Sequence, residues 1–199
     1  MAKKGKKAGT SLICSIICLV LSLLMIATFF MPTYTDGTED NKVSYNGVTL
    51  TQAAFMSEED CEEALANSLN IIKYNEEERE EYGRLVAAYA YANNEDNSNF
   101  KTSAVVNLAV LAVGVLGVVF SIISLLKKNT GLALVITTLV GAVVAVVLTI
   151  LTTGYANYIY EQALIKDLAT LSAGAGVWVC LASAILACGS ALVGKTAKK

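Results

Sequence analysis

The chain has 199 residues, 55% of them hydrophobic, no histidine and a formal net charge of −2. With a mean hydropathy of +0.56, it is too apolar for an ordinary soluble domain, and it lacks the basic excess that would point to nucleic acid. The near-neutral total hides a separation: nine lysines sit in stretches with no acid, whereas segments 32–101 and 155–172 hold all 17 acids and only six bases.

The apolar residues fall into four blocks, Ser11–Met31, Ala104–Leu126, Leu132–Thr153 and Gly174–Gly194. The two central blocks contain no Asp, Glu, Lys or Arg, and as helices each would reach roughly 33 Å, enough to cross a bilayer core. The expected fold is an all-α membrane protein, a four-helix transmembrane bundle with a small α+β extracellular cap made of a β-hairpin and two helices.

In chain order, residues 1–10 form a basic tail carrying Lys3, Lys4, Lys6 and Lys7. Span one, 11–31, has Cys14, Cys18 and Ser22 at a spacing of four, a small-residue stripe for helix packing. Its apolar core is longer than that of a secretory signal, so a retained anchor is expected. Pro32 ends it.

Residues 32–101 are the expected cap. Val43-Ser44-Tyr45, Asn46-Gly47 and Val48-Thr49-Leu50 read as two short strands around a type I′ turn. Ser57 with Asp60 signals a helix start, and Leu65, Leu69 and Ile72 an apolar stripe reaching to about residue 72. Asn75 and the acids after it start a second helix, to about Tyr91, with Leu85, Val86 and Tyr89 as its buried face.

Span two, 102–126, carries Asn107, expected to make an interhelical hydrogen bond, and the small residues Gly114 and Gly117. The turn 127–131 holds Lys127 and Lys128. Span three, 132–154, has Thr137, Gly141, Ala145 and Thr149 four apart. The short outer segment 155–172 is expected to prolong it. Span four, 173–194, repeats the code with Gly176, Cys180, Ala184 and Cys188, before a last basic tail, 195–199, with Lys195, Lys198 and Lys199.

Basic and acidic connections alternate across the four spans. By the positive-inside rule this places both termini and the central turn in the cytoplasm and the cap outside, in a multi-pass plasma-membrane protein. No catalytic, cofactor or metal site is expected: no span holds an ionisable carboxylate or amine, the thiol spacings suit helix packing, and the acidic clusters lack a calcium-loop ladder. The expected partners are the lipid bilayer and a second copy or another membrane protein. The expected role is non-enzymatic contact or assembly. The rivals are a subunit of a transporter or channel that is silent alone, and an enzyme working through outer carboxylates.

Four spans, a large first outer segment opening on strands and a short second one make a plan that resembles the claudin-like tetraspan proteins. The claudin signature of Trp, Gly-Leu-Trp and two cysteines is absent, since this loop has no Trp and only Cys61. Asn46-Gly47-Val48-Thr49-Leu50-Thr51 and Gly174-Ala175-Gly176-Val177-Trp178 are similar to small four-span proteins of Gram-positive bacteria. Tetraspanins fit less well, because their large loop lies between the last two spans.

Overall fold

A computed structural model describes residues 2–37, 42–94, 96–127, 131–162 and 171–197. Its elements are α1 (Ala2–Thr28), β1 (Pro32–Asp36), β2 (Val43–Asn46), α2 (Gly47–Phe55), α3 (Glu58–Leu69), α4 (Glu76–Ala92), α5 (Asn99–Lys127), α6 (Gly131–Gln162), β3 (Ser172–Ala173) and α7 (Ala175–Ala197).

Helices α1, α5, α6 and α7 are long and apolar enough to cross a membrane. They form a ring in which α1 packs on α5 and α7, and α6 packs on the same two from the opposite side. The four alternate in direction, so every neighbouring pair is antiparallel.

The ring is filled by Met25, Val110, Ala145, Leu148, Cys180 and Ala184 in one layer, and by Cys18, Leu134, Val135 and Ala191 in another. Bulkier apolar side chains point outward, among them Ile13, Val20, Leu116, Ile136, Ile150 and Leu186. Between 28% and 39% of the most apolar stretch of each helix is buried. A water-soluble bundle puts its large apolar residues inside; this one puts them outside.

The inward faces also hold hydroxyls that bond back to their own helix. Thr138 Oγ1 donates to the Leu134 carbonyl at 2.9 Å, Thr152 Oγ1 to Leu148 at 2.8 Å and Ser183 Oγ to Val179 at 2.7 Å. These groups are satisfied without water, which is what a hydrocarbon environment requires.

The cap sits where α1 ends and α5 begins. Its sheet has the order β2-β1-β3, with Tyr34 opposite Tyr45 on one side and Ala173 on the other. Pro32 opens β1, where its missing N–H costs no ladder bond. Among the described residues the cap therefore has three strands and three helices rather than a hairpin and two helices.

The largest correction concerns Asn46 and Gly47, which form no hairpin turn. Asn46 closes β2 and caps α2, its side chain accepting from Thr49 N–H at 3.0 Å. Its φ of −90° is the wrong sign for a type I′ turn. Gly47 N–H donates to the Phe29 carbonyl at 2.8 Å, and a β-carbon there would lie 2.6 Å from the Phe29 ring. The glycine serves a close approach, and Val48–Leu50 continue as helix.

The apolar stripe of α3 is a second correction. Both capping boxes form, Ser57 with Asp60 and Asn75 with Glu78. Yet α3 ends at Leu69 and buries Ala64, while Leu65, Leu69 and Ile72 are exposed. Ile72 lies beyond the helix, so the periodicity that would have aligned it is lost. In α4 the buried residues are Ala88 and Ala92, with Leu85 partly buried against the cap core.

Candidate functional site

The small residues expected to pack helices do face the interior. Cys14, Cys18, Ser22, Gly114, Gly117, Thr137, Gly141, Ala145, Gly176, Cys180 and Ala184 are buried, and Thr149 and Cys188 are half-buried at the edges of the same faces. A β-carbon on Gly117 would collide with the Ser22 side chain, one on Gly114 would lie 2.9 Å from Ile26, and one on Gly194 would lie 2.9 Å from Cys14. Glycine at these points sets how closely α1 can approach α5 and α7.

One end of the bundle is basic. Lys3, Lys4, Lys6 and Lys7 lie in the first turns of α1, Lys127 ends α5 and Lys195 is in the last turn of α7. Lys128, Lys198 and Lys199 lie outside the described residues. A water-sized recess opens at this end between Ser11, Ser15, Ser124 and Lys195, and the Ser15 and Ser124 hydroxyls meet there at 3.1 Å.

The other end is where the cap is welded on. Tyr34, fully buried, stacks on Phe100 with ring centres 5.0 Å apart and planes 17° apart, and meets Tyr155 edge-on. Tyr91 from α4 packs on Tyr45, Phe100 and Tyr155. The polar tips of these rings are tied: Tyr34 Oη to Ser103 Oγ at 3.1 Å, Tyr155 Oη to the Tyr91 carbonyl at 3.0 Å, and Tyr91 Oη to the Asp36 carboxylate at 2.8 Å. Burial, and then the Asp36 charge, raise the Tyr45 phenol to about 12. Burial and the hydrogen bond to Asp36 push Tyr91 up as well.

This cluster draws on β1, β2, α4, α5 and α6. Its members are scattered between residues 34 and 155, and only the shared aromatic character hints at their meeting. Asn107, expected to bridge helices, instead reaches from α5 to Thr33 on β1.

Beyond the weld, α3 and the first half of α4 form an arm. Helix α3 packs chiefly on α4, which in turn packs on α2. The α3–α4 turn is braced by local contacts: Asn70 Oδ1 accepts from Lys73 N–H at 3.1 Å, Tyr74 N–H donates to the Asn70 carbonyl at 3.2 Å, and Tyr74 meets Tyr82 edge-on at 5.1 Å. Lys73 Nζ lies 4.9 Å above the Tyr74 ring. From this turn Leu69, Ile71 and Ile72 project 70%, 76% and 100% exposed.

The class defined by these observations is a chain with four span-length apolar helices among the described residues, carrying a small α+β cap at one end. No known protein-family model matches the chain, and no curated protein and no solved structure matches it. Among the described residues, no group of three or more metal-ligating side chains is gathered.

Proposed function

We propose that the chain is a non-enzymatic, multi-pass protein of the plasma membrane whose task is contact or assembly. Its four long helices cross the bilayer, with both termini and the α5–α6 turn in the cytoplasm and the cap outside. The observation that carries this reading is the inverted bundle: outward large apolar side chains, inward small and hydroxyl residues, and a lysine-rich end opposite an acid-rich one. Lipid satisfies the outer surface, and the positive-inside rule orients the whole. The claudin-like plan agrees with such a role, and the partners would be lipid together with a second copy or another membrane protein.

An impermeant amine reagent applied to intact cells tests the orientation. Lys73 and Lys101 should be labelled, while Lys127 and Lys195 should react only after permeabilisation. Equal labelling of Lys127 and Lys73 would overturn it.

A further inference from the structure

We infer that the α3–α4 arm is a docking element whose tip, Leu69, Ile71 and Ile72, seats on a basic and apolar segment of another protein; the inference rests on the contact role proposed above. A braced turn that holds three apolar side chains in water gains nothing for its own fold. Leu69, Ile71 and Ile72 are close neighbours in sequence, and Ile72 is wholly exposed. The hydrogen bonds and ring contacts around Asn70, Tyr74 and Tyr82 hold the turn in place. The apolar surface is thus pre-organised, which lowers the cost of ordering on binding.

Charge selects among occupants. Residues 58–84 carry ten carboxylates against Lys73, Arg79 and Arg84, and five of the acids, Glu76, Glu77, Glu78, Glu80 and Glu81, lie in the first turns of α4 shortly after the tip. A surface of anionic lipid headgroups is repelled by such an arm. A second arm from another copy is repelled in the same way. The chain's own lysine clusters lie at the far end of the bundle, about 43 Å away along the 29 residues of α5. The complementary occupant is another protein that presents Lys or Arg around an apolar anchor.

A photo-reactive benzoylphenylalanine placed at Ile72, and in parallel at Val43 or Gln52 elsewhere on the cap, tests this with the full-length protein in intact cells. The expected result is an adduct at Ile72 to a peptide of a different protein in which Lys or Arg flanks apolar residues. Neutralising E76Q, E77Q, E80Q and E81Q together should lower its yield about tenfold. I71S with the probe moved to Leu69 should lower it as well; Ile71 is largely exposed, so that loss is not one of folding. An adduct at Ile72 to a second copy or to lipid overturns the assignment of the partner. Adducts from Val43 or Gln52 alone leave the contact role standing and remove the arm from it. No adduct at any position sinks both.

Discussion

Asn107 on α5 donates its side-chain amide to Thr33 Oγ1 on β1 at 2.9 Å, and both residues are buried. The bond ties the first strand of the cap to the second long helix at the depth where apolar surroundings begin. Removing either partner leaves a buried polar group with less to bond. Asn107→Ala or Thr33→Val should lower stability in detergent by about 0.5–2 kcal/mol. The double variant should cost less than the sum, a coupling that a thermal-unfolding double-mutant cycle reads directly. Strict additivity would show that the bond contributes nothing.

Gly174 and Gly83 should respond in opposite directions to the same change. At Gly174 a β-carbon would fall on the Pro32 carbonyl, 2.6 Å from its carbon, and backbone cannot step aside. Gly174→Ala should therefore destabilise by about 1–3 kcal/mol. Gly83 lies inside α4 with open space where its β-carbon would be. Gly83→Ala should stabilise by about 0.5–1 kcal/mol, chiefly by restricting the unfolded chain. Denaturation midpoints of the two variants settle the pair.

Alkaline pH should loosen the cap before the bundle. The Tyr45 phenol, raised by burial and then by Asp36 from 10.0 to about 12, is held protonated in the folded state, and Tyr91 and Tyr34 are raised in the same direction. A folded-state value above the unfolded one means that stabilisation is complete below about pH 10. It is lost as pH climbs toward 12. Absorbance titration should show Tyr34, Tyr45 and Tyr91 ionising late, together with cap opening. Tyr34, Tyr45 and Tyr91 titrating near the ordinary value would contradict the buried cluster.

Asn46 should behave as a helix cap and not as a turn residue. Asn46→Ala should cost about 0.5–2 kcal/mol, whereas Asn46→Asp should keep most of the stability because a carboxylate accepts from Thr49 N–H as well as an amide does. A turn residue would rank these variants differently, since φ above zero favours Asn over Asp and Ala alike. Urea unfolding of the three proteins distinguishes the roles.

The four apolar runs and their small-residue faces could be read directly, because a long apolar helix that packs closely on its neighbours leaves its mark at a fixed spacing. Gly117 against Ser22 and Gly141 against Met25 are instances of that spacing made physical. The cap was harder. Asn-Gly signals a turn when judged from its flanks, but the partner of β2 is the upstream strand Pro32–Asp36, and the deciding contact of Gly47 is with Phe29, far outside any local window. The stripe Leu65, Leu69, Ile72 failed for a different reason. Periodicity predicts which residues share a face; it cannot say whether another element covers that face.

The short strand β3 has a consequence for how the molecule is made. Thr35 meets Ser172, and the Thr33 carbonyl accepts from Gly174 N–H at 2.8 Å, so one edge of β1 is completed only by chain emerging more than 130 residues later, at the mouth of α7. During synthesis that edge of β1 stays open until the start of α7 has been made. A chain cut before residue 171 would therefore keep β1 as a bare strand edge beside β2, and the sheet closes only when the final helix arrives.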